Sequence, residues 1–197
     1  MSPTRARQGH LSIVRQGTAP AAAGGPALGS FEDIYDNLAG YVAGLVGRIL
    51  GRNDEVADVV QDVFLIVHRR LPSVRQPEAL RAWIGRIAVR EASRRLRWRR
   101  VRMFLHPGQV VDAELVADER APADVRPLVA LLYVTLDRLP ARDRVAWALR
   151  HLADEPLDTV AELCGCSLAT AKRRIAAAEA AIRPVLGTGD DEQEEDR

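Results

Sequence analysis

The hydrophobic positions of this chain recur with helical spacing in two long stretches, and no segment alternates for long enough to build a β-sheet. The clearest helix runs from Asp54 to Arg70, where apolar residues recur every three or four positions and form one stripe: Val56, Val59, Val60, Val63, Phe64 and Val67. A stripe of this width packs against a core. We expect Asn53 or Asp54 to cap this helix.

Breaks in the periodicity divide the chain into five segments. Residues 1–30 are rich in Ala, Gly and Pro and predict a flexible leader, while residues 187–197 form an acidic tail. Helical patterns fill residues 31–102 and 124–186, and the pattern is lost over residues 103–123. The sequence therefore predicts an all-α protein, with two small helical domains joined by a flexible linker.

Beside its apolar stripe, the Asp54–Arg70 helix carries a second line at the same spacing: Asp58, Gln61, Asp62 and Leu65. One interpretation is a solvated acidic face, which is common on helices. The other is a docking surface for a basic partner. The helix alone leaves both open.

The next predicted helix, from about Ala79 to Arg102, is strongly basic. Residues 81–102 hold nine Arg and one Glu, a net charge of +8 in a chain whose total is +1. Arg86, Arg90, Arg94 and Arg97 lie along one face. Acidic residues four positions away, which would normally balance such a face, are missing. The arginines of this face therefore repel one another. We expect a polyanion such as nucleic acid to relieve that repulsion, and its binding to the helix to weaken steeply as the salt concentration rises.

Two tryptophans bracket the basic helix. Trp83 is expected in the core. Trp98 lies among arginines, where it either stacks on an unpaired base or belongs to a small core.

The stretch Leu157–Ile182 has helix-turn-helix spacing. Ala161 is small enough for two helices to approach, Gly165 supplies the turn, and Ser167 caps the second helix. Cys164 and Cys166 flank the turn and are interpreted as small core residues rather than redox or metal groups. We expect Leu168, Ala171 and Ile175 to point inward, which leaves an outer face for DNA: Ser167, Ala169, Thr170, Lys172, Arg173 and Arg174.

Taken together, these blocks resemble the extracytoplasmic-function sigma factors of bacterial RNA polymerase. "DVVQDVFL", "RAWIGRIA" and the helix-turn-helix follow the family's order and spacing, with 31–102 similar to sigma region 2 and 124–186 to sigma region 4. The resemblance implies a dissociable polymerase subunit that recognises the −10 and −35 promoter elements and opens the promoter. It also implies a possible anti-sigma partner.

The resemblance assigns roles to individual residues. Asp58, Gln61, Asp62 and Leu65 match the segment that docks on the coiled-coil clamp helices of the polymerase large subunit. The Pro72–Glu78 loop and the basic helix match the part of the family that recognises the −10 element, which implicates Ser73, Arg75, Gln76, Arg86, Arg90, Arg94, Arg97 and Trp98. The −35 element falls to Ser167, Ala169, Thr170, Lys172, Arg173 and Arg174. Beyond Arg174 the family often has further basic residues, where this chain has Ala176–Ala178 and Glu179, so the −10 contacts are expected to contribute more of the binding.

Other classes of function fit less well. Four scattered histidines, no nucleophile with an adjacent base and no phosphate-binding Gly loop argue against an enzyme such as a recombinase or nuclease. No cofactor, metal, secretory signal or membrane insertion is expected, which indicates a cytoplasmic protein. A stand-alone DNA-binding regulator leaves the line Asp58–Leu65 unexplained. For the acidic tail, two interpretations remain: a solubilising segment, or a mimic of nucleic acid that restrains DNA binding.

Overall fold

The computed structural model describes residues 30–51, 53–74, 76–105 and 124–186. Within these ranges the fold is all-α, as predicted, with seven helices in chain order: α1 (Phe31–Leu50), α2 (Val56–Arg70), α3 (Leu80–Leu105), α4 (Arg126–Arg138), α5 (Ala141–His151), α6 (Leu157–Leu163) and α7 (Leu168–Leu186). Three short 3-10 turns connect the first three helices: Asn53–Glu55, Leu71–Ser73 and Pro77–Ala79. The leader up to residue 29, the linker from residue 106 to residue 123 and the acidic tail lie outside the described residues.

Local sequence sets both ends of α1. The Ser30 hydroxyl accepts a hydrogen bond from the Asp33 amide at 3.1 Å, and the Asp33 carboxylate accepts one from the Ser30 amide at 3.0 Å, which is a capping box. Gly51 ends the helix in the left-handed conformation, at φ 65°.

Two predicted boundaries were wrong by a few residues. The cap of α2 is Glu55, without a side-chain hydrogen bond, because Asn53–Glu55 already form a 3-10 turn that leads into the helix. Helix α3 continues to Leu105, three residues into the predicted linker, since no Gly or Pro interrupts it before Pro107.

Prolines lie at the start of three of the four described helices in the second half. Pro127 lies in the first turn of α4, while Pro140 and Pro156 occupy the N-cap positions of α5 and α6. These positions lack an intrahelical acceptor for the amide in any case, so proline is tolerated there. Pro140 and Pro156 thus mark the points where α5 and α6 begin.

The buried apolar residues form one continuous cluster that extends through both halves of the molecule. Val46, Ile49 and Ile84 are fully buried in the first half, and Leu136 and Leu149 in the second. Helix α5 packs against α1 and α3, and α6 packs against α3. The periodicity predicted two domains on a tether but gave no sign that they share a core.

Candidate partner-binding and nucleic-acid interfaces

The acidic line of α2 and the basic face of α3 are neighbours in the structure. Asp62 pairs with Arg94 at 3.1 Å, and Asp58 pairs with Arg95 at 3.0 Å. The two carboxylates stay 48% and 68% exposed, so the pairs are solvated surface contacts. Gln61 and Leu65 are also exposed and lie on the same helix.

The expected lack of charge compensation on α3 was therefore wrong for part of the helix. Glu91, the one acid within its basic stretch, is buried and accepts a hydrogen bond from Arg94 at 2.7 Å, which raises the pKa of Arg94. Arg99 pairs with Glu55 at 2.6 Å. The balancing carboxylates come largely from other helices, which a search at i±4 spacing does not detect. Arg90 and Arg97 remain exposed and form no ion pair with any residue of the described ranges.

The predicted −10 residues fall into distinct environments. Trp98 is 63% exposed, which decides against a place in the core, whereas Trp83 packs partly buried against the core as expected. Ser73 donates a hydrogen bond to the Arg70 carbonyl at 2.6 Å and closes the turn after α2. Gln76 is exposed beside it, and Arg75 lies outside the described residues.

The helix-turn-helix has the geometry that its spacing predicts. Gly165 adopts φ 59° in the turn between α6 and α7. The Ser167 hydroxyl accepts a hydrogen bond from the Thr170 amide at 3.2 Å and caps α7. Ala171 and Ile175 are buried, but Leu168 is 37% exposed, so its predicted inward position was wrong. Residue 168 is the first residue of α7.

The outer face of α7 presents most of the residues predicted for duplex DNA. Ala169, Lys172 and Arg173 are exposed. Arg174 is half-buried and lines the same cavity as Cys164. Burial raises the pKa of the Cys164 thiol to about 11, with Arg174 opposing the shift, so the thiol stays protonated near neutral pH. Cys164 and Cys166 both pack against the core, in line with a structural role.

Glu179, one of the departures from the family pattern, has a structural partner. Its carboxylate lies 3.0 Å from Nε2 of His151, whose ring stacks on Trp147 at a centroid distance of 5.0 Å. The residue therefore ties α7 to α5.

The contact between the two halves is centred on Arg144 of α5, which sequence reasoning missed. Its guanidinium donates hydrogen bonds to the Ile49 carbonyl at 2.8 Å and the Leu50 carbonyl at 2.7 Å, and it pairs with Asp137. Arg99 reaches the same Leu50 carbonyl at 3.1 Å. Two cations thus meet the carboxyl end of α1, where the helix dipole is negative.

Burial lowers the pKa of the Arg144 guanidinium, and Asp137 opposes that shift. A signal for this residue does exist in the sequence. Arg144–Leu149 is a run of six buried residues, five of them apolar. A short helix that is apolar on all sides is buried on all sides, and any charge within it then needs buried partners.

Two further contacts join the halves. The Tyr133 hydroxyl donates a hydrogen bond to the Arg48 carbonyl at 3.2 Å, and Arg86 pairs with Glu162 at 3.2 Å. At Gly85, a Cβ atom would lie 2.8 Å from Leu163, so glycine permits the close approach of α6 to α3. Arg86, predicted to bind the −10 element, is therefore engaged by the helix-turn-helix domain in this arrangement.

An apolar groove lies between α1 and α2, with a volume of about 920 Å³. Phe31, Tyr35 and Phe64 form an edge-to-face aromatic cluster on its wall, and Leu65 borders it. The groove is thus continuous with the line Asp58, Gln61, Asp62 and Leu65.

The described residues offer neither a metal site nor a membrane span. No cluster of three or more His, Cys, Asp or Glu side chains within these ranges has the geometry to hold a metal ion. No helix among them is both long and apolar enough to cross a bilayer.

Comparison with known proteins identifies both halves. The Sigma-70 region 2 family matches residues 34–102, and Sigma-70, region 4 matches residues 130–182. The ECF RNA polymerase sigma-E factor of Escherichia coli K12 is 30% identical over 150 residues, covering 72% of this chain and 78% of that protein. The RNA polymerase sigma-H factor of Pseudomonas aeruginosa is 27% identical over 154 residues, covering 74% and 80%.

Solved structures share the fold. The sigma factor RpoE of Bartonella quintana, in complex with the anti-sigma factor NepR, superposes with a TM-score of 0.60 at 19% identity, covering 81% of this chain and 98% of that one. CnrH, in complex with the cytosolic domain of CnrY, gives a TM-score of 0.54 at 22% identity, covering 81% and 88%. From its two matched regions and its relatives, the chain belongs to the extracytoplasmic-function sigma factor family, whose members direct promoter-specific transcription initiation by RNA polymerase.

Proposed function

We propose that α2 docks this sigma factor on core RNA polymerase through Asp58, Gln61, Asp62 and Leu65. Their exposure supports the assignment, as does the apolar groove beside Leu65. A clamp helix with basic and apolar side chains would meet both surfaces. Asp58 and Asp62 would then exchange Arg95 and Arg94 for cations of the partner, which costs little because both pairs are solvated.

The −10 element is assigned to the Pro72–Glu78 loop and to α3. The residues are Ser73, Arg75, Gln76, Arg86, Arg90, Arg94, Arg97 and Trp98. Support comes from the exposed ring of Trp98, on which an unpaired base can stack, and from the exposed charges of Arg90 and Arg97. Stacking of this kind favours the melted strand over the duplex.

The −35 element is assigned to the first turns of α7: Ser167, Ala169, Thr170, Lys172, Arg173 and Arg174. The N-terminal residues of a recognition helix face base edges in the major groove. Ala169 suits a thymine methyl group, while Lys172 and Arg173 suit guanine or phosphate.

Promoter binding requires the two domains to separate. The −10 and −35 elements lie about two helical turns apart, at ~34 Å per turn. With α3 ending at Leu105, the 18 residues from 106 to 123 span at most roughly 60 Å at ~3.3 Å per residue. In the packed arrangement Arg86 is held by Glu162 instead of DNA. We therefore assign the packed arrangement to the free protein.

This function makes the chain a transcription initiation factor without catalytic chemistry of its own, and it places its action in the cytoplasm with the polymerase. An anti-sigma partner is proposed by analogy with RpoE and CnrH, which were solved bound to NepR and to the cytosolic domain of CnrY.

The observation that carries the proposal is the presence of both matched sigma regions on one chain, in family order. Reconstitution with core RNA polymerase tests it. The full chain is expected to bind core and to start transcripts at specific sites in a library of genomic promoters. Specific duplex binding without core binding or initiation would instead identify a stand-alone regulator.

A further inference from the structure

A basic cleft opens where the two domains meet. It has a volume of about 290 Å³ and lies between α3, α5 and the α6–α7 turn. Five arginines from both domains line it: Arg86, Arg90, Arg97, Arg142 and Arg174. A neighbouring cavity of about 280 Å³ shares Arg142 and Arg174 and adds Arg173. We refer to the two cavities together as the interdomain arginine cleft.

Few carboxylates compensate this charge. Glu162 pairs with Arg86, and Asp143 lies 3.6 Å from Arg142. Arg90 and Arg97 form no ion pair within the described ranges. Val89, Val145 and Leu163 supply apolar wall. A concave site with one sign of charge and low-dielectric walls concentrates its potential, so the cleft attracts an anionic group.

The chain itself carries a matching anionic segment. Residues 187–197 contain six acidic side chains and one Arg, a net charge of −5: Asp190, Asp191, Glu192, Glu194, Glu195, Asp196 and Arg197. They follow α7, which ends at Leu186. Arg174 lies twelve residues back along that helix, roughly 18 Å at ~1.5 Å per residue. An extended chain covers that distance in about six residues at ~3.3 Å each. Glu192 and the acidic residues after it are therefore far enough along the chain to be within reach of the cleft.

We propose that the acidic segment 187–197 binds in the interdomain arginine cleft of the free protein. Because the cleft is built from both domains, the bound segment bridges α3 to α5 and α7 and favours their packed arrangement. Tethering supplies a local concentration of about 1 mM for a short flexible connection. If the separate segment binds the cleft with a dissociation constant near 100 µM, the tethered segment would be bound about ten times as often as it is unbound.

The proposal has a consequence for nucleic acid. Arg86, Arg90, Arg97, Arg173 and Arg174 are also assigned to the promoter, and that part of the inference rests on the proposed function. The segment would compete with DNA for these arginines until polymerase or promoter separates the domains. The binding of the segment itself does not depend on that function.

A labelled peptide of sequence 187–197 tests the binding. Its affinity is measured by fluorescence anisotropy for the full chain and for a full-length variant in which the six acidic residues are replaced by Asn or Gln. We expect the neutralised variant to bind the peptide about tenfold more tightly, since its own segment no longer competes. The difference should disappear in concentrated salt.

Matched arginine pairs locate the site. When Arg97→Gln and Arg142→Gln are added to the neutralised variant, its tighter binding of the peptide should be lost. Arg69→Gln with Arg70→Gln removes the same charge at exposed positions outside the cleft and should preserve it. Circular dichroism confirms that each variant is folded.

Three outcomes would overturn the proposal. One is equal peptide affinity for the full chain and the neutralised variant. Another is an equal loss of peptide affinity in both arginine double variants, which would show that the peptide responds only to the net charge of the protein. The third is dimerisation that depends on the segment, which would assign it to a second copy. None of these readouts uses polymerase or promoter DNA, so the proposal and the proposed function fail separately.

Discussion

Arg144 of α5 donates a hydrogen bond to the Leu50 carbonyl at 2.7 Å, and this contact joins the two domains through residues that lie 94 positions apart in sequence. The guanidinium is 1% exposed. It satisfies the carboxyl end of α1 while its charge is balanced by Asp137, so the interface places a cation at the negative end of a helix dipole.

Replacing Arg144 by Met should destabilise the folded protein by about 3 kcal/mol, because Asp137 and two helix carbonyls would lose their buried partner. Urea denaturation measures the change in the free energy of unfolding. Arg138→Met, at an exposed position of α4 outside the cleft, is the matched control and should stay within about 0.5 kcal/mol of the parent. Equal values for the two variants would contradict the structural role of Arg144.

Gly51→Ala should destabilise the protein for two separable reasons. The residue has φ 65°, which costs an L-residue about 1–2 kcal/mol, and a Cβ atom there would overlap the Tyr133 ring. In the background Tyr133→Ala only the backbone strain remains, so the penalty of Gly51→Ala should shrink by about 1–3 kcal/mol. Thermal or urea melts of the four proteins give this coupling, and an additive result would contradict the contact.

Reversing the charges of Asp58 and Asp62 to Arg should abolish core binding, because the docking helix would then repel its basic partner. Stability should fall by only about 1 kcal/mol, since both ion pairs are solvated. Affinity for core polymerase is measured by labelled-core titration.

The control for that reversal removes the same ion pairs from the other side. Arg94→Gln with Arg95→Gln leaves both carboxylates in place and should retain core affinity. If this pair loses core binding as completely as the reversal, the carboxylates act by orienting α3 and the docking assignment is wrong.

Trp98→Ala should leave the free energy of unfolding almost unchanged, because the side chain is 63% exposed. Binding to single-stranded −10 DNA should weaken by about 1–3 kcal/mol, the usual contribution of one stacked base. Trp98→Phe should recover part of the loss. Permanganate footprinting of the open complex supplies the measurement, and undiminished opening by the Ala variant would refute the stacking role.

Replacing Arg173 and Arg174 by Ala should weaken transcription from promoters that depend on the −35 element. Where the two contacts are to phosphates, the dependence of log K on log salt should flatten by about 2, one for each contact. A footprint over the −35 element shows the effect directly. Unchanged protection and salt slope would exclude these residues from the duplex.

Local sequence decided most of the secondary structure. Ser30 with Asp33, Gly165 with Ser167, and the prolines at 140 and 156 mark helix ends through backbone chemistry that involves only near neighbours. The helix-turn-helix and the two sigma regions could be predicted from the sequence for the same reason, because they are marked by residue spacings along the chain. The cap of α2 and the end of α3 were misplaced where short turns and unbroken helix formers give weak signals.

Only the tertiary structure decided how the charges are balanced and how the domains meet. Arginines of α3 are neutralised by carboxylates 32 to 44 residues away: Asp58, Asp62 and Glu55. Arg144 donates its hydrogen bonds to carbonyls on the other side of the linker. Periodicity reports which side of a helix is apolar, but it does not report which other helix that side meets. Ion pairs and buried guanidinium contacts between distant segments depend on which helices pack together. That packing is determined by the shared core of the folded protein.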